Sequence, residues 1–291
     1  MPARIARRST LDVGAVRVTY LPDGATRQRP ATQFVGAAPD AWERHGEFLD
    51  EEGWLVMSFG SFLIESENRK ALVDLAWGPH SVNLAEVSGG ALEGTAFGGG
   101  LLDSLKAVGV EPADIDTVLY SHLHVDHVGW ATLGDTQDAA FPNAVHVVSE
   151  EEWTFWQSPP WDDTGTAPSE TQLSVLGDNL RLVQDGDSPV PGVTVFATPG
   201  HTAGHTSFVI GSGSERAIIL GDAVHCPIEF TDPEMSFMAD ADGTLARRTK
   251  ARLARDFSGP GQIIAGGHFP NPVFGRLDGP ALPQDFRSLL G

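Results

Sequence analysis

Short apolar runs that end near a histidine or an aspartate recur along this chain. Thr117-Val118-Leu119-Tyr120 leads into Ser121-His122, Ala217-Ile218-Ile219-Leu220 into Gly221-Asp222, and Gln262-Ile263-Ile264-Ala265 into Gly266-Gly267-His268. Runs this short and this continuously apolar predict strands buried on both faces, because a half-exposed strand alternates and a helix needs more length. Residues 55–64 and 71–74 flank a polar turn and predict a hairpin in the same kind of sheet. Residues 16–21 alternate and are followed by Pro22-Asp23-Gly24, which predicts an edge strand ending in a turn. Val193-Thr194-Val195-Phe196-Ala197 and Ala144-Val145-His146-Val147-Val148 add two strands, and His146 among apolar neighbours reads as a satisfied structural histidine.

Helical patterning covers residues 101–108, 150–156 and 242–257. In the last, Leu245, Leu253 and Phe257 fall at multiples of four, and Arg247, Arg248, Lys250, Arg252 and Arg255 make a basic face expected to be solvated. Trp153, Phe155, Trp156 and Trp161 are expected in the core more than in a pocket wall, and the aperiodic stretch 157–171 is a candidate lid. Between Trp77 and Gly100, Gly89-Gly90 and Gly98-Gly99-Gly100 predict a mobile loop, with no Gly-x-x-x-x-Gly-Lys to cradle phosphate. Residues 25–53 are polar and read either as an N-terminal arm or as a contact within a homodimer.

Composition narrows the classes. A chain of 291 residues with 41% hydrophobic content and no linker-like stretch is expected to form one domain over residues 1–291. No apolar run reaches the roughly 18 residues of a membrane span. Cys226 is the one cysteine, so no internal disulfide forms, and Arg4, Arg7 and Arg8 precede no apolar secretion segment. A cytoplasmic location is expected. The formal charge of -20 repels phosphate backbones and anionic lipid, which argues against nucleic-acid and membrane partners and leaves a small-molecule substrate.

The chemistry is concentrated in His122-Leu123-His124-Val125-Asp126-His127, three imidazoles and a carboxylate within six residues directly after a buried strand. Packing does not explain such density, and metal ligation does. His122 and His124, two apart, point to one side of an extended backbone. Asp126 and His127 lie where the chain turns toward a helix and can aim at a second point, so two metals are implied. Neutral imidazoles with carboxylates suit zinc first, then iron, manganese or cobalt, over magnesium and calcium.

His-x-His-x-Asp-His resembles the signature of the metallo-β-lactamase fold superfamily. Thr198-Pro199-Gly200-His201-Thr202-Ala203-Gly204-His205 resembles that family's second ligand loop, and the pattern continues through Asp222 and His268, so the likeness spans roughly residues 16–275. The resemblance implies an α/β fold, a four-layer αββα sandwich, with its metal site at one edge of the β-sandwich. It implies that His122, His124 and His201 hold one metal, Asp126, His127 and His268 the other, and that Asp222 bridges them. His205 is then outside the ligand set. Asp74 is either the family's buttress of the metal-binding loop or a simple turn cap, since the family's Val-Asp-Thr-Gly stands here as Val73-Asp74-Leu75-Ala76.

The same resemblance implies hydrolysis by a metal-bridging hydroxide, with Asp126 taking up the proton and passing it to the leaving group. Gly221-Asp222-Ala223-Val224-His225-Cys226-Pro227 resembles the branch that contains methyl parathion hydrolase, which suggests a neutral ester, lactone or phosphotriester. In acyl-homoserine-lactone lactonases of the family a substrate-binding tyrosine stands three residues after the bridging aspartate; here that position is His225. His225 is read either as a group that hydrogen-bonds the substrate or as a loop residue that packs beside Cys226. A β-lactam hydrolase and a non-catalytic metal-binding protein remain as the alternatives.

Overall fold

The computed structural model describes residues 2–158, 165–212, 215–279 and 282–289. Two sheets face each other. The larger runs, in spatial order, Leu180–Val183, Val145–Ser149, Thr117–Leu119, Arg69–Val73, Leu55–Ser66, Val16–Gln28, Gly94–Phe97 and Ser81–Asn83, with Ser9–Val13 paired to the first half of Val16–Gln28. The smaller runs Val193–Ala197, Thr206–Ser212, Glu215–Ile219, Gln262–Ala265, Phe274–Leu277 and Phe286–Ser288.

Side-chain alternation builds the layers. Phe62, Ile64, Ala71, Val73, Leu119 and Val147 point into the core shared with the smaller sheet, while their neighbours Leu63, Leu72, Val118 and Val148 point the other way, onto the helices. Leu101 and Leu105 of the Leu101–Lys106 helix and Leu176 of the Glu170–Asp178 helix cover that outer face. On the smaller sheet Val195 faces inward, and Phe196, its neighbour, meets Phe257 at 5.6 Å at the end of the Gly243–Asp256 helix. Helix, sheet, sheet and helix follow in that order. This is the αββα sandwich, and the continuous apolar runs are its doubly buried strands.

Three sequence expectations change. Residues 16–21 are not an edge strand, and Pro22-Asp23-Gly24 is not a turn. The strand runs unbroken from Val16 to Gln28 between neighbours on both sides, with a bulge between Pro22 and Gly24. The bulge turns the Asp23 carboxylate inward, where it accepts hydrogen bonds from the backbone N–H groups of Gly78, Gly99 and Leu101 and from Trp130 Nε1. The stretch 77–100, expected as a loop, contains the Ser81–Asn83 and Gly94–Phe97 strand pair and the short helix Leu84–Val87, while Gly89 and Gly90 turn the chain at positive φ. The basic face of the 242–257 helix is not all solvated. The buried stripe runs Ala246, Thr249, Lys250, Leu253 and Ala254, so Lys250 lies inside it, and Leu245 is only partly covered.

Residues 25–28 belong to the large sheet, and Phe34 and Ala41 pack with Leu55, Met57, Ile228 and Met235 in a third apolar cluster beside the ligand-bearing edge. Trp156 is buried and Trp153 partly so, whereas Phe155 is 47% exposed. Trp161 and the Pro159-Pro160 part of the candidate lid lie outside the described residues. Among the described residues no helix is long and apolar enough to cross a membrane.

Replacing Asp23 by alanine leaves three backbone N–H groups and an indole N–H without their acceptor. At about 1–3 kcal/mol for each buried group left unpaired, Asp23→Ala should lower stability by about 3 kcal/mol or more. Urea unfolding followed by circular dichroism measures this, and a midpoint equal to that of the parent protein would contradict the role given to this carboxylate.

Candidate metal centre

The Thr117–Leu119 strand ends against Asp74, which closes the neighbouring Arg69–Val73 strand. Asp74 adopts φ 59°, a left-handed conformation that aspartate tolerates better than most residues, and Ala76 adopts φ 48°. From there the Asp74 carboxylate accepts from Ser121 N and Ser121 Oγ, each at 2.8 Å, and from His127 Nδ1 at 2.9 Å. Of the two readings of Asp74, the buttress holds. Gly129 closes the same loop where a Cβ would lie 2.1 Å from the Trp77 carbonyl carbon, so no larger residue fits.

Four of the histidines are oriented by a bond on the far side. His127 Nδ1 donates to Asp74, His201 Nδ1 faces Asp240 Oδ1 at 3.0 Å, His268 Nδ1 faces the Ser58 carbonyl at 2.9 Å, and His122 Nδ1 lies 3.0 Å from Ser121 Oγ. With Nδ1 engaged in this way, Nε2 of all four faces the centre. His124 faces inward through Nδ1, 3.0 Å from His201 Nε2. His205 differs. Its Nε2 accepts from Asp222 N at 2.9 Å and its Nδ1 meets Thr198 Oγ1 at 2.8 Å, so neither nitrogen is left over, in keeping with its place outside the ligand set.

The inward atoms fall into overlapping groups. Potential ligand atoms of His122, His124 and His201 lie within 4.8 Å of one another, as do those of Asp126, His127, Asp222 and His268, and those of His201, Asp222 and His225. Asp222 Oδ1 lies 3.1 Å from both His127 Nε2 and His268 Nε2, and Asp222 Oδ2 lies 3.5 Å from His201 Nε2 and 3.8 Å from His122 Nε2. Nitrogens 2.0–2.1 Å from a common tetrahedral ion sit about 3.4 Å apart, so this spacing fits ligation. His122 Nε2 and Asp222 Oδ1 are buried yet make no hydrogen bond, as expected of lone pairs that converge on a cation. Burial, reinforced by neighbouring imidazoles, holds His122 well below its ordinary pKa; burial likewise brings His124 and His201 down to about 3. These rings are neutral, the form that binds metal.

His122, His124, Asp126, His127, His201, Asp222, His225 and His268 meet at this one place. His146 does not, and pairs with the Tyr120 hydroxyl at 2.9 Å, the structural role its alternation predicts. Asp126, with 21% of its side chain exposed, lies at the mouth, 3.4 Å from His268 Nε2. His225 stacks on Phe237 at 3.7 Å, and its Nε2 lies 3.2 Å from Asp222 Oδ2.

Several positioning groups were missed in the sequence. Glu152 is buried and accepts from Leu123 N, Trp156 Nε1 and Thr202 Oγ1, so one carboxylate ties both ligand loops to the Glu150–Trp156 helix. Glu229 accepts from the backbone N–H groups of His225 and Cys226 and pairs with Lys250 Nζ at 2.8 Å. Burial works against its charge, but Lys250 and His225 together outweigh it and hold the Glu229 carboxyl down to about 2. The one signal in the sequence was spacing: Lys250, four residues after Ala246 and three before Leu253, falls on the apolar face rather than on the solvated basic face expected for it.

A cavity of about 650 Å³ opens beside the cluster. Met57, Phe59, Trp77, Leu84 and Phe237 form apolar wall, and Asp126, Asp222, His225 and His268 form its reactive end. Among the described residues that line it there is no lysine or arginine.

With this geometry in place, residues 61–268 match the family model of the metallo-beta-lactamase superfamily, and the chain belongs to that superfamily. It is similar to an N-acyl homoserine lactonase of a Bacillus species, 29% identical over 77% of this chain and 83% of that protein. It is similar also to N-acyl homoserine lactonase AttM of Rhizobium johnstonii, 29% identical over 59% of this chain and 64% of that protein. With AttM of Agrobacterium fabrum it is 33% identical over 42% of this chain, and the match spans 45% of that relative's length. Among solved structures it is similar to hydrolase AbOPH of the beta lactamase superfamily, with TM-score 0.76, 27% identity and 99% of each chain covered. The dizinc quorum-quenching lactonase AidC shares the fold at TM-score 0.82, with 19% identity and 99% of each chain covered.

Breaking a buried ion pair by removing one partner costs about 3–5 kcal/mol, whereas replacing both costs less. Lys250→Met should therefore destabilise the protein by about that amount, and Glu229→Gln combined with Lys250→Met should recover part of it. Denaturant titration of Lys250→Met, Glu229→Gln and the double variant decides, and an additive double variant would contradict the pairing.

Proposed function

We propose that this chain is a metal-dependent hydrolase acting on an uncharged ester, lactone or phosphotriester that carries an apolar arm. The observation that carries the reading is the placement of the Asp222-centred ligand cluster at the end of a cavity whose described lining includes apolar side chains and no lysine or arginine. The lactonase relatives lend support. A β-lactam hydrolase is favoured less, because β-lactam drugs bear a carboxylate and the cavity offers no lysine or arginine to receive it.

On this reading His122, His124 and His201 hold one divalent ion, Asp126, His127 and His268 a second, and Asp222 lies between them, with zinc the first choice for these ligands. Bound there, two such ions supply a nucleophile at neutral pH by bringing the pKa of water to about 7, and polarise the oxygen under attack. The chain's own groups do the remainder. The cavity wall receives the apolar arm, excludes bulk water and sets the reacting carbonyl or phosphoryl group over Asp222. Phe237 fixes the plane of His225 by stacking and Glu229 fixes its backbone, so that Nε2 can hydrogen-bond a substrate oxygen. Asp126, the most open of the carboxylates at the site, takes up the proton released on attack and hands it to the leaving oxygen.

Purified protein should contain about two transition-metal ions per chain, and chelation should remove both metal and activity. Elemental analysis that finds no more than one, even after zinc loading, would defeat the two-ion arrangement. Metal-replete protein should turn over members of a panel of aryl esters, lactones and phosphotriesters faster than a chromogenic cephalosporin. Inertness toward all of them would remove the hydrolase reading.

Asp222→Ala should release metal and abolish turnover. His225→Ala should keep its metal and lose about ten- to a thousandfold in kcat on the best panel substrate, the range for one oriented group near the reacting centre. Parent-like kcat in the His225 variant would reduce that residue to packing.

A further inference from the structure

The far wall of the reactive cavity carries polar atoms that nothing among the described residues engages. Thr26 and Gln28 are two apart on the Val16–Gln28 strand, so both side chains project from one face, and both line the cavity. They are 2% and 8% exposed. Thr26 Oγ1 and Gln28 Oε1 are buried and have no hydrogen-bond partner.

Their surroundings explain why no partner exists. In the two flanking strands the residues directly opposite Thr26 are Met57 and Ala96, and those opposite Gln28 are Leu55 and Gly94. None of the four has a polar side chain. If these positions served packing alone, valine and leucine would fill them without leaving buried oxygen atoms unpaired, a condition that native interiors largely avoid. Both residues line the cavity, and a group bound there is the partner left to them.

Resting on the hydrolase reading above, we propose that Thr26 and Gln28 form a distal subsite that recognises an uncharged amide on the non-reacting arm of the substrate. The carboxamide oxygen of Gln28 accepts an N–H, and the Thr26 hydroxyl donates to a C=O, so an amide satisfies both at once. An ionised group is disfavoured, since no side chain of opposite charge is close on either flanking strand. Register gives the span. Ser58, whose carbonyl faces His268 Nδ1, pairs with Ala25, and Thr26 and Gln28 lie one and three residues further along the strand, or roughly 3 and 10 Å. The amide therefore lies along the strand that leads away from His268.

The test uses metal-loaded protein and two non-hydrolysed probes of one shape, hexanamide and heptan-2-one, with affinities measured by calorimetry or by protein NMR shifts. The ketone has the C=O of the amide and lacks its N–H. Gln28→Leu should erase an amide-over-ketone preference that the parent protein shows, a change of about three- to tenfold for one hydrogen bond to a buried acceptor. Thr26→Val should weaken both probes together, also by several-fold. Equal affinity for the two probes in the parent, or a preference that survives Gln28→Leu in protein with unaltered metal content and melting temperature, overturns the subsite. Because no turnover is read, that failure leaves the hydrolase reading standing. Inertness in the substrate panel, conversely, removes the hydrolase and leaves this binding result to stand or fall alone.

Discussion

Four histidines of this cluster turn Nε2 toward the centre because the other ring nitrogen is held on the far side. Asp74 does this for His127, Asp240 for His201, the Ser58 carbonyl for His268 and the Ser121 hydroxyl for His122. The orientation of each of these rings is thereby fixed before any cation arrives, and the ligand cage is preorganised. The cost appears in the backbone. Asp74 and Ala76 sit at positive φ, and Gly221, at φ 57°, occupies a point where a Cβ would lie 2.5 Å from Ser121 Cβ. That strain is tolerated because doubly buried strands on both sides leave the loops no alternative path.

Buried charge is used throughout as scaffolding around this edge. Glu152 holds the two ligand loops, Glu229 with Lys250 holds the His225 turn, and Asp23 gathers the backbone on either side of the 77–100 excursion. None of these would be chosen for stability alone, since apolar replacements of similar volume pack as well or better. What they supply is geometry. A carboxylate accepting three or four directed hydrogen bonds fixes the segments that meet at it far more narrowly than apolar contact does.

The sequence revealed ligands and hid their supports, for a physical reason. His122, His124, Asp126 and His127 are legible because the chain must present several lone pairs within one turn, which compresses them into a short motif. His201, Asp222 and His268 are legible because each follows a buried strand, whose apolar run can be read residue by residue. Supports act across the fold. The Glu229–Lys250 pair joins residues 21 positions apart, and Asp23 meets Trp130 from a different layer. The proline and glycine beside Asp23 mark a bulge as readily as a turn, and only the neighbouring strands decide between them. Thr26 and Gln28, polar residues on a polar-looking stretch, gave no sign that they were buried until Met57, Ala96, Leu55 and Gly94 were placed beside them.

The anchoring of the 77–100 excursion bears on how such a site changes its substrate. Asp23 receives Gly78 N near one end of the excursion and Gly99 N and Leu101 N at the other, and the same carboxylate takes the indole N–H of Trp130, just past the ligand loop. The ends of the excursion are thus pinned to the frame that also holds His127 and His268, whereas Val82, Leu84 and Leu92 between them line the cavity. Side chains between two fixed ends can be exchanged, or the turn at Gly89 and Gly90 lengthened, without moving a ligand nitrogen. Ligand geometry and cavity shape are therefore separable in this architecture, and Asp23 is the residue that keeps them so.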